Sequence, residues 1–204
     1  MTFQLEAARG ETTVRLCGSV GLPPGSKQRA RVTEMRRYHG FVLPVPDWES
    51  IDDESLILTC TTDDVVVGAC RAARRSAGEG GWCNSFPVEM RKSLPGDESG
   101  FAFLERLVVE PQARSSDLGK ILLFAAILWS SQLWPIRSHA AIFRPEMVRL
   151  GGWYGARELA QPALLPVSDQ LAVLVGGRLD EAETIARASL LDRGWTLRSP
   201  TQPS

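Results

Sequence analysis

The segment Leu107–Leu123 constrains the fold of this chain more than any other part of the sequence. It opens with apolar residues typical of a buried strand, and the strand must end near Pro111, because proline cannot donate a hydrogen bond to a strand ladder. A helix is predicted to follow, from about Ser116 to Gln132. The first N–H groups of such a helix have no partner within it, and Arg114 and Lys120 add positive charge nearby. The segment therefore predicts an anion-binding site at the end of a strand.

The rest of the chain predicts strands and helices around this segment. Ser26 is a predicted helix N-cap, and Asp63-Asp64 is the predicted turn of a β-hairpin. The predicted strands are 13–17, 56–60, 65–71, 101–109, 138–143 and 171–175, and the predicted helices are 26–39, 86–92, 116–132, 145–150 and 180–193. This order predicts an α/β (α+β) fold, with one sheet of mixed direction, helices on both faces and ligands at the carboxyl ends of its strands.

Length and composition indicate a single globular domain. The 204 residues suit one domain over residues 1–198, with a Pro/Ser tail at 199–204. Hydrophobic residues make up 44% of the chain, yet no apolar run is long enough to cross a bilayer. The N-terminus shows no export signal, so we expect a cytoplasmic protein.

Charge and metal-ligand patterns exclude two further classes. A net charge of −1 argues against nucleic-acid binding, which needs a clear excess of cations. The four cysteines form no C-x-x-C pair, and His39 and His139 lie far from any ligand cluster, so we expect no metal. For His139, burial in the core is a simpler explanation than a role as a base.

The spacing within Leu107–Leu123 resembles the acyl-thioester-binding motif of the GNAT acyltransferase superfamily, whose sheet is mixed, twisted and mostly antiparallel. The resemblance implies that the loop amides hold the phosphate of a pantetheine-linked donor and that the strand backbone orients the thioester. The donor-binding residues that it implies are Leu107, Val108, Val109, Arg114, Ser115, Ser116, Asp117, Leu118, Gly119 and Lys120.

The chain departs from this motif at Asp117, where the family usually has glycine. Aspartate tolerates a left-handed backbone better than most residues, so the loop can still form. Its charge would repel a pyrophosphate, which disfavours coenzyme A relative to a donor with one phosphate, such as the prosthetic group of an acyl carrier protein.

The order of residues over about 31–157 looks like that of acyl-homoserine-lactone synthases and the related N-acyl amino acid synthases. The substrate-binding residues that this resemblance implies are Arg37, Phe41, Trp48, Asp52, Asp53 and Arg71. Those families place a glutamate three residues before the arginine of the central strand, whereas this chain has Phe103 there and its acid at Glu105, next to Arg106.

Three residues are candidates for the chemistry: Glu105, Arg106 and Tyr154. A strand carboxylate can take the proton of an attacking amine, but Glu105 could equally form a salt bridge. Arg106 could bind a substrate carboxylate or pair with Asp52 or Asp53. Neighbours on a strand point to opposite faces, so Glu105 and Arg106 share a site only if a bulge intervenes. Tyr154, by resemblance, would protonate the departing thiolate, or it packs beside Trp153.

The resemblance implies an N-acyltransferase that uses acyl carrier protein or acyl-CoA and an amine of the amino acid or S-adenosylmethionine type. An acetyl-CoA-dependent N-acetyltransferase and a non-catalytic acyl-binding module are the alternatives. An acidic carrier protein would dock on the predicted first helix, where five cations face Glu34; they are Lys27, Arg29, Arg31, Arg36 and Arg37. A solvated helix face is the alternative explanation for these charges.

Overall fold

A computed structural model describes residues 2–9, 12–38, 48–78, 82–96 and 98–197. The strands are β1 Thr2–Arg9, β2 Thr12–Val20, β3 Leu56–Thr62, β4 Val65–Arg75, β5 Phe101–Val109, β6 Ser138–Phe143, β7 Arg157–Glu158, β8 Ala163–Leu164, β9 Leu171–Arg178 and β10 Thr196–Leu197. The α-helices are α1 Lys27–Tyr38, α2 Val88–Lys92, α3 Leu118–Leu133, α4 Arg149–Gly152 and α5 Leu179–Asp192, and 3-10 turns span Ser50–Asp53, Trp82–Ser85, Pro111–Ser116 and Pro145–Met147. The predicted tail, 199–204, lies outside the described residues.

The helix start and the hairpin turn predicted from the local sequence are both present in the structure. The side-chain oxygen of Ser26 accepts a hydrogen bond from the Arg29 amide at 3.2 Å, as an N-cap does. Asp63 and Asp64 join β3 to β4 with φ angles of 49° and 62°. Two left-handed residues make a tight hairpin turn whose twist matches that of the flanking strands.

The strands form one sheet in the order β10-β1-β2-β3-β4-β5-β6-β9-β7, with β8 on β9. Each pairing between described strands is antiparallel except that of β5 with β6. The predicted sheet, mixed and mostly antiparallel, is therefore confirmed. The N-terminal strand β1 was not predicted, although Phe3, Leu5 and Ala7 alternate with polar residues, and the strands β7, β8 and β10 have two residues each, too few to show an alternating pattern.

Helix α3 is the centre of the larger core. It is buried from Ile121 to Ser130, and it packs on the sheet beside α5. Gly18 of β2 allows this close approach, because a Cβ atom there would lie 2.6 Å from the Trp129 ring. The Trp129 ring stacks on Phe3 with 5.3 Å between centroids. None of the described helices is long and apolar enough to span a membrane.

Strand β5 has two irregularities at the position of the functional site. β5 pairs with β6 only from Phe101–Ser138 to Leu104–Ala141, after which β5 continues along β4 and β6 along β9. A β-bulge lies just past this point: Ala69 pairs with Val108 but Arg71 pairs with Glu105, so one residue of β4 faces two of β5. Beyond Leu104 and Ala141, strands β5 and β6 therefore diverge and leave a gap between them inside the sheet.

Candidate functional site

The gap between β5 and β6 contains a cavity of about 550 Å³. Its walls are residues 103–109 of β5, the start of α3, and residues 142–150 with Trp153. Leu123 and Leu150 belong to the core cluster under α3, whereas Phe103 and Ile142 belong to the cluster on the other face. The cavity thus borders both faces of the sheet, so that two substrates could meet within it from opposite sides.

The predicted donor loop lies at the α3 side of this cavity. Residues Pro111–Ser116 form a 3-10 turn, and Asp117 then adopts a left-handed backbone (φ 58°, ψ 10°) directly before α3. The first N–H groups of this 16-residue helix have no partner within it. Aspartate thus takes the conformation that the motif requires of glycine.

Most predicted donor residues border the cavity: Leu107, Val108, Val109, Arg114, Asp117, Gly119 and Lys120. Leu118 is buried in the core instead. Ser115 and Ser116 end the 3-10 turn that precedes Asp117, and a donor role for their amides stays a prediction. The cavity also has apolar walls, to which Phe143 and Trp153 contribute.

The cations of the loop are already positioned by the protein. Arg114 Nε donates to the Val109 carbonyl at 3.1 Å. Lys120 Nζ lies 4.3 Å from the centre of the Trp153 ring and 3.5 Å from Asp117 Oδ1. Both cations therefore flank the cavity beside the helix start, where an anionic group of a donor would be attracted.

On the opposite face, six charged side chains form one network beside the cavity. Arg71 is its centre: Nη1 lies 2.8 Å from Glu49 and 3.1 Å from Asp52, and Nη2 lies 2.8 Å from Glu105. Arg36 pairs with Asp52 at 2.8 Å, and Arg106 pairs with Glu49 at 2.7 Å. Three arginines thus balance three carboxylates, as burial of so many charges requires.

The β-bulge determines how Glu105 and Arg106 point. Arg106 has a φ of 54°, a left-handed conformation that is uncommon for a residue with a long side chain. The bulge places both side chains on the face of Arg71 and Glu49, and both border the cavity. Arg106 pairs with Glu49 rather than with Asp52 or Asp53, the partners considered from the sequence.

The network favours the charged form of two of its carboxylates, Asp52 and Glu49. Burial would raise the pKa of Asp52, but the charges of Arg36 and Arg71 outweigh burial and lower it. Burial likewise opposes ionisation of Glu49, and hydrogen bonds and charge from Arg71 and Arg106 leave its pKa below the usual value. The pKa of Arg71 is raised, because Glu105 and Asp52 more than offset the effect of its burial.

The predicted substrate residues fall into three groups. Asp52 and Arg71 are in the network. Phe41 lies outside the residues that the structure describes. Trp48 and Asp53 lie at its edge, where the indole Nε1 donates to Asp53 Oδ1 at 3.1 Å. Arg37 is exposed on α1, whereas its neighbour Arg36 is buried and belongs to the network. A substrate role for each of these six residues stays a prediction.

Sequence reasoning missed Glu49 and Arg36. A signal for Glu49 was present, because Glu49 and Asp52 form a capping box around the Ser50–Asp53 turn, in which the Glu49 amide donates to Asp52 Oδ2 at 2.8 Å. Arg36 gave no such signal, since Arg36 and Arg37 differ only in which face of α1 they occupy.

Tyr154 lies in the core rather than on the described cavity wall. Its side chain is buried, burial raises the pKa of its phenol, and its ring contacts the His139 ring edge-on with centroids 5.3 Å apart. Burial also lowers the pKa of His139 to about 4, so the imidazole is neutral at pH 7. The core position expected for His139 agrees with the structure, and an acid role for Tyr154 stays a prediction.

Three of the five cations that the sequence places on the basic helix α1 pair with acids. Arg29 pairs with Asp53 at 3.0 Å, and Arg31 pairs with Glu34 at 2.7 Å and also with Glu110. Arg36 is buried against Asp52. Among the described residues, no three His, Cys, Asp or Glu side chains converge to hold a metal ion.

Comparisons with solved structures agree with the fold described above. No family model matches the sequence, and no curated protein matches it. FeeM, an N-acyl amino acid synthase from uncultured soil microbes, superposes with a TM-score of 0.62 at 11% identity, over 87% of this chain and 98% of that one. An acyl-CoA N-acyltransferase from Pseudomonas aeruginosa gives 0.58 at 15% identity, over 80% and 98%. The CoA-dependent acyl-homoserine lactone synthase BjaI gives 0.56 at 16% identity, over 80% and 82%. The chain therefore has the fold of the GNAT N-acyltransferases.

Proposed function

We propose that this protein is an N-acyltransferase that moves an acyl group from a pantetheine thioester to the amine of a small molecule. One observation carries the proposal. A single cavity, open within the sheet, borders an anion-attracting helix start on one face and a carboxylate-bearing charge network on the other. Aminolysis of a thioester needs these two sites next to each other.

The reaction is an attack of the amine nitrogen on the thioester carbonyl carbon. The C–N bond forms, the C–S bond breaks, the amine loses a proton and the departing thiolate gains one. Glu105 is the proposed base for the amine proton, because its carboxylate borders the cavity and the ion pair with Arg71 fixes its position. Tyr154 is proposed as the acid for the thiolate, and its phenol would have to be reached through the core.

Arg106 is proposed to orient the acceptor. Its guanidinium pairs with Glu49, whose side chain is 25% exposed, so a carboxylate of the acceptor could share or replace that contact. An amino acid or an S-adenosylmethionine-type amine carries such a carboxylate beside its amine. FeeM makes N-acyl amino acids, which supports an acceptor of this class.

The donor is proposed to be an acyl carrier protein thioester or an acyl-CoA. Its phosphate would lie at the start of α3, and its acyl chain against the apolar walls of the cavity. The apolar walls of the cavity, to which Phe143 and Trp153 contribute, support a longer acyl chain. An acetyl-CoA-dependent N-acetyltransferase is the second candidate, supported by the likeness to the acyl-CoA N-acyltransferase.

The test is a turnover assay with purified protein. Acyl carrier protein and CoA thioesters, from acetyl to dodecanoyl, are offered with the twenty amino acids and S-adenosylmethionine, and both free thiol and acylated product are measured. We expect thiol release that depends on one class of amine, with a product mass that matches its N-acyl form. Donor binding without thiol release for any amine would instead support a non-catalytic acyl-binding module. A strict preference for acetyl-CoA would support the second candidate.

A further inference from the structure

The loop at the donor side of the cavity starts at Glu110, directly before the Pro111–Ser116 turn. The Glu110 amide donates to the Val67 carbonyl at 2.9 Å, and the Glu110 carbonyl accepts a hydrogen bond from the Ala113 amide, also at 2.9 Å. The residue before it, Val109, borders the cavity. The position of Glu110 therefore determines where the donor loop leaves β5.

The side chain of Glu110 binds to helix α1. Its Oε1 lies 2.5 Å from Nη2 of Arg31, and only 15% of the Glu110 side chain is exposed. Arg31 also pairs with Glu34 of its own helix at 2.7 Å, and its Nε donates to the Val66 carbonyl of β4 at 3.5 Å. Arg31 thus joins α1 both to β4 and to the start of the donor loop.

Helix α1 is itself held firmly in the fold. Val32 and Met35 are buried in one cluster with Val108 of β5. Near the other end of the helix, Arg36 pairs with Asp52, and both side chains are fully buried. An ion pair can orient a loop when one partner is already fixed, because less side-chain entropy is then lost. Arg31 meets this condition.

We propose that Arg31 is a positioning residue of the donor site, which holds the phosphate-binding loop in place through its ion pair with Glu110. Neither residue is on the cavity wall that the structure describes, so Arg31 acts on the donor through the loop. This inference rests on the proposed N-acyltransferase function, in which the loop amides bind the donor phosphate.

Two variants, Arg31→Met and Glu110→Gln, separate positioning from charge. The first removes a cation and the second an anion, so a direct effect of charge on the donor phosphate would have opposite signs in the two variants. Loss of positioning would have the same sign in both. Every charged residue of the cavity wall stays unchanged.

The chain offers a matched control for each variant. Arg29→Met also loses an ion pair of α1, the one with Asp53, which is not part of the donor loop. Glu34→Gln removes the other acid that pairs with Arg31. Arg31→Lys keeps the positive charge and should retain most of the activity. The melting temperature checks the folding of each variant.

The donors are an acyl-phosphopantetheine and the acyl-pantetheine that lacks its phosphate, so that no carrier protein has to dock. Arg31→Met and Glu110→Gln should each lower kcat/KM for acyl-phosphopantetheine on the order of fivefold, through KM, which is the effect that one partly exposed ion pair can have. Acyl-pantetheine and the amine should be used as by the wild type. The double variant should be no worse than either single one, since both remove the same contact.

Opposite effects of Arg31→Met and Glu110→Gln would overturn the inference, as would unchanged kcat/KM in both, an equal loss with acyl-pantetheine, or an equal loss in the two controls. Thiol release from neither donor, with any amine, would contradict the proposed function instead. Calorimetry with phosphopantetheine and pantetheine then decides the inference. Weaker binding of phosphopantetheine alone in both variants would support it, and any other result would overturn it.

Discussion

Nη2 of Arg71 lies 2.8 Å from Oε1 of Glu105, and this contact joins the central strand to the charge network. Through Nη1 the same guanidinium reaches Glu49 and Asp52, which belong to a different segment of the chain. A buried arginine with three carboxylate partners keeps each of them in a defined position, because its donors are rigidly arranged. The proposed base is therefore oriented by the fold before any substrate binds.

Glu105→Gln should lower kcat by 10²- to 10⁴-fold while the KM for the donor changes little, since a general base contributes about this much. Glutamine keeps an acceptor for Arg71 but cannot take a proton. The measurement is steady-state thiol release, with the melting temperature as a check of folding. Full activity in a folded variant would remove Glu105 from the mechanism.

Asp52→Asn should destabilise the protein by about 3–5 kcal/mol, because Arg36 and Arg71 lose a buried charged partner. Unfolding in urea measures the free energy of unfolding of the wild type and the variant. Glu49→Gln, at a half-buried position, should cost less than Asp52→Asn. A cost below 1 kcal/mol for Asp52→Asn would show that the network contributes little to stability.

Stability should fall as the solution is acidified. The pKa values of Asp52 and Glu49 are lowered in the folded protein, so their contribution is fully present above the unfolded pKa of about 4 and is lost as the pH falls through the folded values. Urea unfolding between pH 7 and pH 3 should show this loss below about pH 4. The loss should be smaller in Asp52→Asn, and an identical pH profile would contradict the assignment.

Arg106→Gly should be more stable than Arg106→Ala by about 1 kcal/mol, although glycine normally weakens a strand. Both variants lose the ion pair with Glu49, but only alanine must adopt the φ of 54° with a Cβ atom. The difference between the two variants in free energy of unfolding, measured with urea, gives the cost of the left-handed backbone at residue 106. Alanine equal to or better than glycine would mean that the bulge relaxes in the variants.

Gly119→Ala should weaken donor binding without weakening the fold. A Cβ atom at residue 119 would have 3.8 Å to its nearest neighbour, so the protein itself accommodates it, and a larger side chain such as leucine should block the donor. Calorimetry with a thioester analogue measures affinity. Gly96→Ala is the control, since its Cβ meets nothing within 4 Å and lies outside the cavity wall. Unchanged affinity in Gly119→Leu would remove the loop from the donor site.

Much of the fold follows from local sequence signals, and much of the site does not. The strand ending before Pro111, the helix after it and the Asp63-Asp64 turn depend on neighbouring residues, so their positions were predicted. The bulge at Arg106 depends on the pairing of β5 with β4, which no local pattern reveals. The basic residues of α1 likewise predicted a docking surface for a carrier protein. Their ion pairs with Asp53 and Glu110 could not be predicted, because these acids are distant in sequence.

The gap between β5 and β6 is a strand edge that lies inside a sheet. An edge at the border of a sheet is open to a strand of another molecule, and proteins need special features to prevent such association. Here, strands β4 and β9 flank the diverging ends on either side. A strand of another molecule would have to enter between β4 and β9 to pair with this edge. The protein thus keeps this strand edge enclosed within its own sheet, away from the borders where another molecule could pair with it.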